Sequence, residues 1–152
     1  MEIRRVIYGT DEYSETLKIR DKVLRRPWNK SIYKDDLRDE ENKDILFGAF
    51  NDKNLLGVIT LSIKTKDIAK IRFLAVDTEL QRIGVGSKLI NYIENYSMEN
   101  GYKELILEAR YTAKDFYLKH GYETVGEVYI PNHIHVEHIE MKKNLGLINN
   151  CK

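Results

Sequence analysis

The stretch from Ala69 to Ala109 constrains the fold more than any other part of the chain. Ala69–Val76 (AKIRFLAV) is mostly apolar and predicts a strand. A polar link then leads through Gln81-Arg82-Ile83-Gly84-Val85-Gly86 into a segment where Ile83, Leu89, Ile90 and Ile93 recur with the helical period. This predicts a long helix beginning near Gln81 and ending at Asn100-Gly101, where glycine supplies a left-handed stop. Glu104–Ala109 (ELILEA) predicts the next strand. Strand, long helix and strand in succession make a parallel crossover, which requires a sheet with a helix on its face.

The flanking segments read as largely antiparallel. Residues 2–8 predict a short strand, and Gly9, Thr10 and Asp11 offer a turn and a helix cap. Leu17, Val23 and Leu24 mark a helix that Pro27 stops. The polar stretch from Asn29 to Asp44 fits either a second helix or a loop, its acidic part, Asp35–Asp44, reading as a solvated surface or as an attractor of a cationic acceptor. Ile45–Phe50, the turn Asn51–Asn54 and Leu55–Lys64 carry a hairpin signal. Beyond Glu104–Ala109 come a short helix around Ala113–Lys119 and strands at Tyr122–Ile130 and His135–Lys143. The resulting class is α/β with a mixed, mostly antiparallel central sheet flanked by helices. No repeat or linker separates a second domain, so residues 1–145 read as one domain and 146–152 as a tail.

Charge narrows the function. Lys plus Arg number 25 against 24 Asp plus Glu, a formal charge of +1 that argues against a general nucleic-acid binder. The one cysteine, Cys151, allows no internal disulfide, and no apolar run is long enough to cross a bilayer. With no signal-peptide pattern at MEIRRVIYG, the expected location is cytoplasmic.

The helix entrance carries the chemistry. The first N–H groups of a helix lack internal partners and point outward together, and the helix dipole favours an anion there. Glycine at 84 and 86 removes side chains that would hold a pyrophosphate off the backbone, and Arg82 can add charge. The segment lacks the Lys-Ser/Thr of a P-loop and the third glycine of a dinucleotide fingerprint. A glycine-containing turn before an ordinary helix remains the alternative reading.

Gln81-x-x-Gly84-x-Gly86 and Ala113-x-x-Phe116-Tyr117-x-x-x-Gly121-Tyr122, at this spacing and in this element order, resemble the GNAT N-acetyltransferase superfamily over nearly the whole chain. Arg20–Arg25, Gly126-Glu127-Val128 and Glu137–Met141 are similar to a bacterial subgroup with a Gly-Ile-Pro-His-Ile-x-Met ending, although Val136-Glu137 stand where that subgroup has Ile-Pro. The resemblance implies a sheet splayed between its two central parallel strands, and acetyl-CoA as co-substrate without a metal. By position, it implies that the backbone of Phe73, Leu74, Ala75 and Val76 meets the pantetheine arm. Gln81, Arg82, Ile83, Gly84, Val85, Gly86 and Ser87 would hold the pyrophosphate, Phe116 would border the cofactor, and Tyr117 would act as general acid at the thioester sulfur.

Attack of an amine on a thioester needs a neutral amine and a protonated or stabilised leaving thiolate. A phenol is protonated at neutral pH and suits the second task. Ala113, Phe116, Tyr117 and His120 also fall on one helical stripe, so Tyr117 equally fits core packing. For the base, Glu108 late in an apolar strand and His138 are candidates. The alternatives are an ion pair of Glu108 with Arg110 or a partly exposed strand end, and a hydrogen-bonded strand histidine. His133, His135 and His138 do not share one strand face, which argues against zinc. Arg20, Arg25, Arg26 and Trp28 fit either binding of an acceptor's carboxylate or aromatic group, or a solvated helix face. The expectation is direct acetyl or short-acyl transfer to an amine, a small molecule favoured, without a covalent intermediate on Cys151. Two rivals stand beside it: a non-catalytic acyl-CoA sensor and an interaction domain that has lost the cofactor. Exposed strand edges favour a homodimer, and neither nucleic acid nor membrane is an expected partner.

Overall fold

A computed structural model describes residues 1–35, 37–77, 79 and 84–146, with the backbone alone for Arg38 and Asp39. The elements are β1 (Glu2–Val6), α1 (Asp11–Leu24), α2 (Arg38–Glu41), β2 (Ile45–Asn51), β3 (Asn54–Ile63), β4 (Ile68–Val76), α3 (Val85–Glu99), β5 (Glu104–Arg110), α4 (Lys114–Lys119), β6 (Glu123–Tyr129) and β7 (His138–Asn144). The strands form a seven-stranded sheet in the order β1-β2-β3-β4-β5-β7-β6. Pairing is parallel for β4 with β5 and antiparallel for β1 with β2, β2 with β3, β5 with β7 and β6 with β7. This is the mixed, mostly antiparallel sheet that the sequence predicts. Chain contacts divide the protein into two compact units, Met1–Ser62 with Phe73–Ile93 and Ile63–Arg72 with Glu94–Lys152.

In the first unit, Thr10 caps α1 by accepting the Tyr13 amide at 3.3 Å, and Asp11 and Glu12 sit in the first turn where the dipole favours acids. Tyr13, Thr16, Ile19 and Arg20 form its buried stripe. Tyr13 joins Val6, Leu46 and Phe50 in one apolar cluster, and Ile19 joins Val58 and Ala75 in another. The helix stops at Leu24, with Pro27 inside the following 3-10 turn, Arg26–Trp28. The region from Asn29 to Asp44 resolves into a second 3-10 turn, Ile32–Lys34, and the short α2.

In the second unit, the β4–β5 ladder runs from Ile68 opposite Glu104 to Ile71 opposite Leu107. β7 lies antiparallel to β5, from Glu104 opposite Asn144 to Arg110 opposite His138. Alternation buries Leu105, Leu107, Ala109, Ile139 and Met141 on one face. The last strand starts at His138, not His135 as the sequence suggests: residues 131–137 after Pro131 form an irregular connection in which Ile134 is buried. His133 and His135 therefore occupy no strand face.

Candidate functional site

Gly84 opens α3. Its φ is +80°, a left-handed conformation that side chains disfavour, and among the described residues no atom beyond its chain neighbours lies within 4 Å of where a Cβ would stand. Its carbonyl accepts the Lys88 amide at 3.1 Å, which sets Gly84 at the helix cap. The amides of Val85 and Gly86 then fall in the first turn, where no intrahelical carbonyl can reach them. Val85, Leu89, Ile90 and Ile93 are buried and fix the helix, while Gly86 and Ser87 are half-buried. Gln81, Arg82 and Ile83, and with them the expected helix start, lie outside the described residues.

The end of β4 is held by side-chain and backbone bonds from β3. The Phe73 amide donates to Thr60 Oγ1 at 3.0 Å, and the Asp77 amide donates to the Leu56 carbonyl at 2.9 Å. Of the strand positions expected to meet a pantetheine arm, Phe73 thus has its N–H already engaged. Gly57 lets this end pack closely against α3. A Cβ there would stand 3.1 Å from the Ala75 carbonyl and 3.2 Å from both Leu89 Cδ1 and Val76 Cγ2.

Arg20, the arginine within α1, fits neither of the readings offered from sequence, whereas Arg26 is exposed as a solvated face requires. Arg20 is enclosed, not facing a ligand or solvent. It donates to Glu41 Oε2 at 2.6 Å and Oε1 at 3.0 Å, and to Thr16 Oγ1 at 2.9 Å, while Tyr13 donates to Glu41 Oε1 at 2.6 Å. Burial and the Glu41 carboxylate together raise the Tyr13 pKa well above the ordinary phenol value. The Arg20 guanidinium also lies 5.1 Å from the Phe73 ring. Arg25 pairs with Asp35 at 2.9 Å, and Arg26 pairs with Asp21 at 3.3 Å. Trp28 is partly exposed. Glu41 and Asp44 are buried, so the acidic stretch is only partly a solvated surface.

In the second unit, Tyr117 is the buried residue of α4 at 8% exposure. Its ring meets Phe116 edge-on at 5.1 Å and Tyr122 at 5.8 Å. Burial alone raises its pKa, so the hydroxyl keeps its proton at neutral pH. Among the described residues, that hydroxyl has no hydrogen-bond partner. Of the stripe Ala113, Phe116, Tyr117 and His120, only Tyr117 is buried and the others are half-buried, so the phenol is an enclosed proton donor on a partly covered face.

Glu108 pairs with Lys70 at 3.2 Å, and its side chain is about half exposed near the end of β5. Burial pushes its carboxyl up, but Lys70, the Tyr129 hydroxyl and His138 outweigh this and hold it below its ordinary value. Tyr129 is pushed up to about 12 by burial and by the Glu108 charge. His138 is buried, with Nδ1 2.7 Å from the Val136 carbonyl. Burial lowers its pKa, with the Val136 carbonyl working against the shift. Its ring lies 6.0 Å from that of Tyr129. The structure therefore gathers Lys70, Glu108, Tyr129 and His138 in the second unit. Sequence reasoning names only two of these, because Lys70 and Tyr129 arrive through strand register. No cluster of three or more His, Cys, Asp or Glu side chains among the described residues could hold a metal.

Residues 10–145 match the family profile described as an acetyltransferase (GNAT) domain. The fold is similar to that of an aminoglycoside 6'-N-acetyltransferase complexed with coenzyme A, at 19% identity, TM-score 0.73, covering 95% of this chain and 97% of that one. It is also similar to a GNAT family acetyltransferase from Elizabethkingia anophelis with acetyl-CoA bound, at 18% identity, TM-score 0.71, covering 94% and 97%. A third similar structure is the ribosomal-protein-S18-alanine N-acetyltransferase from Escherichia coli, at 16% identity, TM-score 0.73, covering 95% and 94%. At these identities the structural likeness speaks for the fold alone, but the profile spans most of the sequence, and the chain belongs to the GNAT acetyltransferase family.

Proposed function

We propose that this protein is an N-acyltransferase that moves an acetyl or short acyl group from acetyl-CoA directly to an amine, with a small-molecule acceptor favoured. The observation that carries the reading is Tyr117: a protonated, buried phenol with no partner among the described residues, at the position of the family's Phe-Tyr element. The left-handed Gly84 at the mouth of α3 supports a role in cradling the coenzyme's pyrophosphate. Similar structures hold coenzyme A or acetyl-CoA.

In this mechanism the neutral amine nitrogen attacks the thioester carbonyl carbon. The C–N bond forms, the C–S bond breaks, and the departing sulfur takes the Tyr117 proton. The nitrogen gives up its extra proton to Glu108 or His138 directly or through water. Glu108, held ionised by Lys70, and His138, held neutral by burial, are both in accepting form at neutral pH. Tyr117 recovers its proton from solvent in the next cycle.

The small-molecule preference and the acceptor itself are tested together. Thiol release from acetyl-CoA is followed with a panel containing an aminoglycoside, spermidine, free amino acids and a peptide with an N-terminal alanine. Turnover on a small amine supports the reading, and turnover on the peptide alone moves the acceptor to protein. Tight acetyl-CoA binding without turnover on any amine instead supports a sensor.

A further inference from the structure

A buried ion pair that the transfer chemistry does not use holds the turn after α4. Glu94 of α3 accepts the Tyr122 hydroxyl on Oε2 at 2.8 Å and Lys143 Nζ on Oε1 at 3.1 Å. Lys143 also donates to the His120 carbonyl at 2.7 Å, at the C-terminal cap of α4. One ammonium thus ties a carboxylate on α3 to the end of the helix that bears Tyr117. Gly121, at φ +88°, makes the turn, and the Lys143 stem fills the space beside it: a Cβ at 121 would stand 3.3 Å from Lys143 Cε. The turn closes on Tyr117 itself, whose carbonyl accepts the His120 and Tyr122 amides, each at 3.0 Å.

Glu94 and Tyr122 are buried at 7% and 3% exposure, and Lys143 is mostly covered. A buried pair of this kind is a poor source of net stability, because desolvating both charges offsets most of their attraction. What it does well is fix geometry. Every member here has its partners, so the network braces the turn and, through the ring contact between Tyr122 and Tyr117, one side of the Tyr117 ring.

We propose that Glu94, with Lys143 and Tyr122, is a positioning residue for acyl transfer, aiming the Tyr117 hydroxyl at the leaving sulfur. The inference rests on the reading of Tyr117 as general acid. Acid catalysis contributes only where the donor is within hydrogen-bond reach of the reacting atom, and a misplacement of about 1 Å costs up to a hundredfold in rate.

The test uses Tyr117→Phe, Glu94→Gln, Tyr122→Phe and the two double variants that combine Tyr117→Phe with each of the others. The kcat and the KM for acetyl-CoA are measured with the fastest amine of the panel above. Glu94→Gln and Tyr122→Phe are expected to lower kcat by about tenfold or more while KM stays within about twofold. Each double variant is expected to be no slower than Tyr117→Phe alone, because a residue acting through Tyr117 has nothing left to position. Losses that multiply in the doubles would mark a general structural role and overturn the proposal. So would full kcat in both Glu94→Gln and Tyr122→Phe while Tyr117→Phe is slow. Full kcat in Tyr117→Phe would instead remove the acid role, and this proposal with it. If Glu94→Gln does not fold, Tyr122→Phe decides, since it removes a single hydroxyl.

Discussion

Arg20 grips both carboxylate oxygens of Glu41, at 2.6 and 3.0 Å, with both side chains 0% exposed. The pair ties α1 to α2, and the Tyr13 and Thr16 hydroxyls complete its hydrogen bonds. Removing one partner leaves an uncompensated buried charge, which typically costs about 3–5 kcal/mol. Arg20→Ala and Glu41→Ala should each lower the unfolding free energy by about that amount in denaturant titrations. The Arg20→Met/Glu41→Leu double variant should be far less destabilised than the sum of the single changes, because no orphan charge remains.

Gly57 is the second pressure point. A valine there would bring added methyl groups against the Ala75 carbonyl, Leu89 and Val76, where the Cβ alone is already within 3.1 to 3.2 Å. Overpacking of this kind costs about 1–3 kcal/mol. Gly57→Val should show that loss in thermal melts. Because the strain falls on Ala75 and Val76, it should also weaken acetyl-CoA binding more than an equally destabilising change at Val6 does.

His138 gives a pH signature. Burial holds its folded pKa below the ordinary value near 6.5, so the unfolded chain binds the proton more readily. The stabilisation is therefore complete above about pH 6.5 and is lost as pH falls toward the lower folded pKa. Melting temperature should drop on acidification in this window, and His138→Gln should flatten that part of the curve.

Glu108 can be separated from its ion pair by size of effect. The pair with Lys70 is partly exposed, 24% and 52%, and pairs of this sort contribute at most about 1 kcal/mol. Glu108→Gln should leave the melting temperature nearly unchanged. A fall in kcat beyond about tenfold, undiminished when Lys70 is replaced by Met, would assign Glu108 to proton removal. Full activity in Glu108→Gln leaves His138 or water for that task.

The central crossover was legible because its signals are local: an apolar strand, glycines at a helix mouth and a 3.6-residue stripe closing on Asn100-Gly101. The burial of Tyr117 follows from its short helical motif, while its role stays a proposal. The burial of Arg20 is not legible in sequence because it depends on a partner 21 residues away, Glu41, inside a stretch whose charges suggest solvent. The Glu94–Lys143–Tyr122 network is similarly invisible in sequence, since its members lie 28 and 49 residues apart. The expected strand from His135 begins only at His138, after an irregular connection that buries Ile134, because nothing local in His135–Glu137 marks where pairing with β5 starts.

Calorimetric titration of acetyl-CoA into the wild-type protein, Gly84→Ala and Gly84→Glu tests the central claim most directly. Alanine imposes only the strain of a side chain at φ +80°, whereas glutamate adds bulk and a negative charge at the helix mouth. Binding to the wild type, modest weakening in Gly84→Ala and near-complete loss in folded Gly84→Glu are the predicted results. Equal affinity in wild type and Gly84→Glu would contradict a coenzyme phosphate site at the start of α3.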